Sequence, residues 1–356
     1  MSLALNRTDR PNYQAARLGL CAAVTLIGLS ACGQKSSEPA QTHIPAGLQE
    51  RFYPPVSWAW GRLAVEGAPP LRYGVTNPAK AVRGQVVVLP DAGEPAEAWF
   101  ETARDLVDRG YVVWVLDLAG QGGSVRWPAT NGRAFTPSMD LDLAALRVLV
   151  ARMVRPGAAP VVLIGDGLGA QLALRALAEG LPGVDGAVLG DPMLKPRGVD
   201  LPGPVDGGTA ADWISKLGLG RLPAPGGQTW RESDARGRGR WAVGQQWMRG
   251  NPELRLGGPS LGWVAAYNRS ATAARDPAML GRIAVPVVMF GRPGVKREAE
   301  AACAAVKDCR FEALTVEGPV PHLAADPVRG PWLESATAFI GARGKGFSVA
   351  AAPVGK

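Results

Sequence analysis

The stretch Val161-Val162-Leu163-Ile164-Gly165-Asp166-Gly167-Leu168-Gly169-Ala170 decides the fold, because it contains a strand, a turn and the start of a helix. The four leading apolar residues predict a strand of a parallel sheet that is covered on both faces. The Ala- and Leu-rich run 168–179, closed by Gly180, predicts a helix. Gly167 stands at the centre of a turn framed by two further glycines. This sequence of elements indicates an α/β fold.

The same alternation of strand and helix extends over the rest of the chain, from about residue 52. Short apolar runs predict strands at 61–65, 71–75, 86–89, 112–116, 161–164, 187–189, 287–290 and 311–316. Helical periodicity predicts helices at 96–109, 141–153, 168–179, 297–306 and 327–340. The pattern therefore favours a mostly parallel eight-stranded sheet with helices on both faces. We assign residues 50–191 and 279–342 to this core and residues 343–356 to a C-terminal tail.

The alternation stops between residues 192 and 278, after the sixth predicted strand. This segment is too long for a loop without structure of its own. It contains five tryptophans: Trp213, Trp230, Trp241, Trp247 and Trp263. We predict a helical lid inserted into the core. Its tryptophans either line a ligand pocket or pack the insertion against the core.

The N-terminus has the features of a bacterial lipoprotein signal. Three arginines precede an apolar run at 18–27, and Leu29-Ser30-Ala31-Cys32 then matches a lipobox. We predict that residues 1–31 are removed and that Cys32 is lipidated, which places the protein at the periplasmic face of a membrane, inner or outer. An ordinary signal peptide with a coincidental cysteine is the alternative. The Ser-, Pro- and Gln-rich residues 32–49 predict a flexible tether.

Charge and cysteine content exclude some functions and suggest others. The formal net charge is +8, but the basic residues are scattered and form no patch interleaved with aromatic residues, which argues against nucleic-acid binding. Attraction to an anionic membrane surface explains the surplus more simply. Cys303 and Cys309 are either a disulfide formed in an oxidising compartment or two buried free thiols. No cysteines and histidines have the spacing of metal ligands, so neither metal nor cofactor is expected.

Several motifs occur in an order that is typical of one enzyme family. They are Pro90-Asp91-Ala92-Gly93-Glu94, Leu116-Asp117-Leu118-Ala119-Gly120-Gln121-Gly122-Gly123-Ser124, Pro192-Met193-Leu194, Gly257-Gly258-Pro259 with Gly262-Trp263, and Ile283-Ala284-Val285-Pro286-Val287. Over about residues 50–342 the chain resembles lysophospholipases and monoacylglycerol lipases, the serine-aminopeptidase-like α/β-hydrolases. The resemblance implies an α/β-hydrolase fold and hydrolysis of carboxylic esters by a serine, a histidine and an acid.

The positions that would carry this chemistry are altered. Gly167 stands where the resemblance places the nucleophilic serine. The stretch Gly291-Arg292-Pro293-Gly294 has no carboxylate where the acid is expected. Asp91 places a negative side chain where a developing oxyanion needs stabilisation, which is the wrong sign. His322 remains as the base. Asp191, after the sixth strand, is either an acid that orients His322 or a turn residue before Pro192.

These substitutions lead to three hypotheses. The first is a binding protein without acyl-transfer activity, whose pocket takes an acyl chain or a lysophospholipid, with a preference for cationic head groups. The second is an active ester hydrolase that uses either an unconventional nucleophile or His322 as a base on water. Asp166 is poorly placed as that nucleophile because it flanks the centre of the turn. The third is a scaffold protein. The expected binding residues are Asp91, Ala92, Asp166, Leu168, Trp213, Trp247 and Trp263.

Overall fold

A computed structural model describes residues 37–154, 157, 159–196, 207–225, 239–293, 296–314, 323–325 and 328–343. Its strands are β1 (Ala59–Leu63), β2 (Leu71–Thr76), β3 (Gly84–Leu89), β4 (Tyr111–Leu116), β5 (Arg133–Ala134), β6 (Val161–Asp166), β7 (Gly186–Gly190), β8 (Gly257–Pro259), β9 (Val287–Gly291) and β10 (Cys309–Ala313). Eight of them form one sheet in the order β1-β2-β4-β3-β6-β7-β9-β10, while β5 and β8 form a small separate pair. Strand β2 runs in the direction opposite to that of the other seven strands of the large sheet.

Helices cover both faces of the large sheet, which confirms the predicted fold class. They are α1 (Phe100–Asp108), α2 (Asp140–Val148), α3 (Leu168–Ala178), α4 (Gly207–Ile214), α5 (Val243–Gly250), α6 (Leu261–Ala274), α7 (Pro277–Leu280), α8 (Lys296–Ala305) and α9 (Arg329–Arg343). Strand β3 is a good example of the two-sided core. Val87 and Leu89 pack into the cluster that holds α2, α3 and α8, whereas Val86 and Val88 face α1 and α9. This alternation follows from the two-residue period of a strand.

Some predicted bounds were shifted at the edges of the sheet. Strand β1 begins and ends two residues before the predicted range, because its pairing with β2 runs from Ala59 opposite Val75 to Leu63 opposite Leu71. Strand β10 begins at Cys309 rather than 311, since Cys309 already pairs with Val287. Partner strands therefore set these ends, and the apolar pattern of a single strand does not reveal them.

The insertion after β7 consists of two separate parts among its described residues. Helix α6 packs against α3 and α4, close to the main core. Helix α5 instead belongs to a third apolar cluster with Leu48, Phe52 and Phe100. The insertion is thus helical, as predicted, but α5 packs beside the N-terminal arm.

Residues 37–49, here called the N-terminal arm, are bound to the domain. The Thr42 hydroxyl donates to Glu97 Oε1 at 2.8 Å. Asn251 Oδ1 accepts from the backbone N–H of His43 at 2.9 Å, and Asn251 Nδ2 donates to the His43 carbonyl at 3.0 Å. Leu48 is buried. The prediction of a flexible tether is therefore wrong for these residues, because their polar groups find partners that composition alone does not reveal.

The remaining N-terminal predictions concern residues outside the described part of the chain. These are the signal peptide 1–31, the lipidated Cys32 and the beginning of the tether. Within the part that is described, no helix has both the length and the apolar character needed to cross a membrane.

The two cysteines near the C-terminus form a disulfide. Cys303 in α8 and Cys309 at the start of β10 are bonded, with their Cα atoms 5.4 Å apart. The bond joins the end of a helix to the strand that follows it. Of the two alternatives left by the sequence, the disulfide is confirmed and the pair of free thiols is excluded.

Candidate functional site

The turn between β6 and α3 has the geometry that its glycines allow. Gly167 adopts φ +51° and ψ −111°, a conformation that strains a residue with a side chain. Its N–H donates to the Gly190 carbonyl at 2.9 Å, and its carbonyl accepts from the N–H of Met193 at 3.0 Å. At Gly169 a Cβ would lie 2.0 Å from the Leu89 carbonyl oxygen. Close passage of α3 over β3 therefore requires glycine there.

The carboxylate of Asp91 lies at the centre of this turn. Asp91 Oδ1 accepts hydrogen bonds from the backbone N–H of Ala92 at 2.6 Å and of Leu168 at 2.8 Å. A Cβ on residue 167 would meet Asp91 Oδ1 at 2.0 Å and Asp91 Cγ at 2.2 Å. The two N–H groups converge on one oxygen at the start of α3, an arrangement that binds an anion. In this structure the anion is Asp91 itself.

Glu94 and Gln121 hold the loop that carries Asp91. Glu94 Oε2 accepts from the indole N–H of Trp99 at 2.9 Å and from the Asp91 N–H at 3.3 Å. Gln121 Oε1 accepts from the Gly93 N–H at 2.7 Å. Burial raises the pKa of Glu94 to about 7, although these two donors act in the opposite direction. Neither residue is assigned a role by the sequence pattern, although Glu94 ends the first quoted motif.

Asp166 does not compete with Asp91 for the centre of the turn. Its side chain is buried, and its Oδ2 accepts from the Leu323 N–H at 2.7 Å. Burial raises the pKa of Asp166 well above its ordinary value, and the negative charges of Asp91 and Glu94 raise it further. Asp166 thus flanks the centre of the turn, as predicted, and is poorly placed to act as a nucleophile.

Asp191 forms an ion pair with Arg292, which lies in the stretch where the acid is expected. It follows β7 with φ +43°, and its carboxylate is only slightly exposed. Asp191 Oδ1 accepts from the Arg292 N–H at 2.7 Å, and Oδ2 accepts from Arg292 Nε. His322, the predicted base, lies outside the described residues, so its contact with Asp191 stays a prediction. In the sequence, the stretch 291–294 shows only that a carboxylate is missing, and nothing in it indicates this ion pair.

The glycine-rich motif after β4 supports the fold and supplies no nucleophile. The hydroxyl of Ser124 donates to the Asp117 carbonyl at 3.1 Å and accepts from the Arg72 N–H at 3.0 Å. The carboxylate of Asp117 accepts from Arg72 Nε at 2.6 Å and from the Gly123 N–H at 3.1 Å. Ser124 is therefore the turn-stabilising hydroxyl that its position after the glycines suggested.

Comparison with known proteins agrees with this architecture. The family described as serine aminopeptidase, S33, matches residues 80–291. The chain belongs to this family. No curated protein sequence matches it.

Solved structures similar to this serine aminopeptidase family member include lipases. A lipase in its open form has a TM-score of 0.61 at 16% identity, over 80% of this chain and 99% of that chain. A soluble variant of the monoglyceride lipase of Saccharomyces cerevisiae, bound to a substrate analogue, gives 0.57 at 14%, over 80% and 94%. The monoacylglycerol lipase of Paleococcus ferrophilus gives 0.58 at 14%, over 77% and 99%. At these identities the similarity establishes the α/β-hydrolase fold.

Trp213, Trp247 and Trp263, the three described tryptophans expected to bind a ligand, do not form one pocket lining in this family member. Trp247 is buried against Phe100 in the third apolar cluster. Trp263 is buried in the main core, where its ring stacks on Tyr267 at 5.4 Å. Trp213 lies on the surface with 66% of its area exposed. The prediction that Trp247 and Trp263 bind a ligand is therefore wrong, because neither ring presents an accessible surface.

The carboxylates near the turn do not form a metal site. Among the residues that the structure describes, no group of three or more His, Cys, Asp or Glu side chains could hold a metal ion. Asp91, Ala92, Gly167 and Leu168 lie together at the start of α3. Together they place a negative charge where acyl transfer would generate one.

Proposed function

We propose that this member of the lipase- and esterase-like α/β-hydrolases is a membrane-tethered lipoprotein that does not perform serine-based acyl transfer. Instead it binds an amphiphilic ligand, an acyl chain or lysophospholipid with a cationic head group. One observation carries the proposal: Asp91 Oδ1 accepts from the backbone N–H groups of both Ala92 and Leu168.

The loss of acyl transfer follows from both charge and geometry. A serine mechanism needs an attacking hydroxyl at position 167 and two N–H groups for the oxyanion of the intermediate. Gly167 supplies no hydroxyl, and Asp91 already accepts from the two N–H groups. A second anion at the same place would be repelled by the carboxylate. The attacking hydroxyl and an unoccupied pair of N–H groups for the oxyanion are therefore both missing.

The preference for a cationic group rests on the charges beside the turn. Burial and then the charges of Asp91 and Glu94 raise the pKa of Asp166, so these carboxyl groups are close enough to repel one another. A cationic head group near Asp91 would reduce this repulsion, whereas an anionic one would increase it. The ligand is thus expected to be selected by the sign of its charge.

The tether is supported by the lipobox and by two observations on the domain. The Cys303–Cys309 disulfide suits a protein that is exported to an oxidising compartment. The N-terminal arm is bound to the domain by His43 and Asn251. Glu38 lies only six positions after Cys32, a reach of about 20 Å when fully extended. Lipidation at Cys32 would therefore hold the domain close to the bilayer.

The proposal is tested by a fluorophosphonate probe, by lysophospholipid hydrolysis and by ligand binding. We expect no serine adduct, and background hydrolysis that His322→Ala leaves unchanged. In thermal shift measurements, an alkyltrimethylammonium should stabilise the protein more than an alkyl sulfate of equal chain length. Asp91→Asn, which keeps an acceptor oxygen but removes the charge, should weaken this preference. A serine adduct, or turnover abolished by His322→Ala, would show that the protein is an active esterase.

A further inference from the structure

We propose that Asp91 is a nucleophile toward alkyl electrophiles, so that the altered site carries out alkyl transfer to a carboxylate and hydrolysis of the resulting ester. The substrate class is a primary alkyl compound with a good leaving group, such as an alkyl halide. This activity goes beyond the proposed binding function and does not depend on it.

The position of the carboxylate is the first argument. Its Oδ1, Cγ and Oδ2 atoms lie 2.0, 2.2 and 2.7 Å from the ideal Cβ of residue 167. A side-chain oxygen on that Cβ would lie in the same volume. Asp91 thus brings carboxylate oxygens to the place where the fold presents its attacking atom, although it reaches this place from the loop after β3.

Access is the second argument, because it distinguishes Asp91 from its neighbours. Asp91 is half-buried and is the most exposed of these three carboxylates, whereas Asp166 and Glu94 are buried. Asp166 accepts from the Leu323 N–H, and Glu94 accepts from the indole of Trp99. Asp91 is therefore the carboxylate of this group that an electrophile can approach.

The first chemical step needs no proton. Oδ1 stays fixed by the N–H groups of Ala92 and Leu168, which hold the carboxylate in one orientation. Oδ2 attacks an sp³ carbon, a carbon–oxygen bond forms, and the bond to the leaving group breaks. A halide departs with the bonding electron pair. The product is an alkyl ester of Asp91.

The second step uses the two N–H groups as an oxyanion site. Water attacks Asp91 Cγ, and the negative charge of the tetrahedral intermediate develops on Oδ1, which these N–H groups already contact. Collapse of the intermediate breaks the ester bond, and the departing alkoxide takes one proton of the water molecule. The other proton is released to solvent from the carboxyl group, so the carboxylate is regenerated with an alcohol as product.

The same geometry explains why esters are not the substrate class. Attack of a carboxylate on an acyl carbon would give an anhydride and expel an alkoxide, a much poorer leaving group than the carboxylate that attacked. Attack on an sp³ carbon gives a stable ester and expels a weak base. Because the carboxylate of Asp91 lies where a serine hydroxyl would attack, the favoured electrophile changes from an acyl carbon to an alkyl carbon.

The test uses the full chain and 1-bromohexane. We expect bromide and hexanol to be released faster than in buffer alone. Protein quenched during turnover should carry one hexyl group, which peptide mapping should assign to Asp91. Asp91→Asn, which keeps an acceptor for both N–H groups, should lose adduct and bromide release. Asp308→Asn, on an exposed turn before β10, should retain both. Folding of each variant is checked by its melting temperature.

Peptide mapping of the hexyl adduct uses the wild-type protein, so its result does not depend on whether the variants fold. In heavy-oxygen water, repeated turnover should place the label in the Asp91 carboxylate, because water attacks Cγ. Absence of bromide release, an adduct at another residue, or an unlabelled Asp91 after turnover would overturn the proposal. Fluorophosphonate labelling of a serine would overturn the proposed function but would leave these results unaffected.

Discussion

A side chain at position 167 would displace the carboxylate of Asp91 from its present place. A Cβ on residue 167 would lie 2.0 Å from Asp91 Oδ1, and the carboxylate is held there by the N–H groups of Ala92 and Leu168. The aspartate in the loop after β3 and the glycine in the turn therefore depend on each other. Glycine at position 167 leaves the space that the carboxylate of Asp91 fills.

We predict that Gly167→Ser destabilises the protein rather than restoring activity. The side chain requires both a strained backbone at φ +51° and displacement of Asp91. Overpacking of this kind costs about 1–3 kcal/mol, and the backbone adds about 1 kcal/mol. Gly180→Ser is the matched control, because Gly180 also has a positive φ (+80°) but no atom within 4 Å of its Cβ position. Urea unfolding should give the larger loss for Gly167→Ser.

A double variant separates collision from backbone strain. Adding Asp91→Ala to Gly167→Ser removes the colliding carboxylate, so the double variant should be less destabilised than the sum of the two single variants. Additive effects would mean that position 167 does not meet Asp91. The same unfolding measurements decide between these outcomes.

We predict that Arg292→Ala alone destabilises the protein more than Arg292→Ala combined with Asp191→Asn, which removes the charges of both partners. In Arg292→Ala the buried carboxylate of Asp191 loses its cation and the hydrogen bond from Nε, a change worth about 3 kcal/mol, and keeps only the hydrogen bond from the backbone N–H of residue 292. Asp191→Asn with Arg292→Ala should be more stable than Arg292→Ala alone, since asparagine is neutral and tolerates φ +43°. The order of the unfolding free energies is the measurement. A double variant less stable than Arg292→Ala would contradict the proposed ion pair.

We predict that Asp142 makes the fold less stable as pH rises from about 4 to 7. Burial raises the pKa of Asp142 to about 7, although the Ala119 N–H donates to it. The folded state therefore binds this proton more tightly than the unfolded state, so stability is lost as pH rises through this window, by an amount on the order of 3 kcal/mol. Asp142→Asn should reduce the slope of unfolding free energy against pH.

Asp140 is the control of opposite sign. Burial tends to raise the pKa of Asp140, but hydrogen bonds from Arg175 and Ser138 outweigh this effect and lower it. Its contribution to stability is present above its unfolded pKa and is lost as pH falls. Asp140→Asn should therefore reduce stability at neutral pH and have little effect in acid. Equal pH profiles for the two variants would contradict the assignment of both shifts.

We predict that Asn251→Ala releases the N-terminal arm. Asn251 is fully buried and binds both the N–H and the carbonyl of His43, so its loss leaves two backbone groups unpaired at a cost of about 2 kcal/mol. Hydrogen exchange of the His43 amide should accelerate strongly. Asn77→Ala, on an exposed loop, should leave exchange in the arm unchanged. Unaltered exchange in Asn251→Ala would mean that the arm is held by its other contacts.

Local sequence patterns predicted the strands and helices well, but they predicted the contacts of individual side chains poorly. The strand, turn and helix around Gly167 follow from four apolar residues, three glycines and an Ala- and Leu-rich run. Ser124 was also interpreted correctly, because a hydroxyl after a glycine-rich turn binds nearby backbone. Trp247 and Trp263 were misassigned, since an aromatic side chain has the same sequence signature whether it fills a core or faces a ligand.

The sequence by itself determined the architecture and the loss of a hydroxyl at residue 167, because apolar periodicity, glycine spacing and residue identity are local properties of the chain. Only the tertiary structure decided that the carboxylate of Asp91 lies where that hydroxyl would be. The Asp91 side chain points at the N–H of Leu168, 77 positions away, and Arg292 binds Asp191, 101 positions away. Such contacts depend on which loops the sheet order brings to one edge, and no pattern along the chain encodes the direction of a side chain.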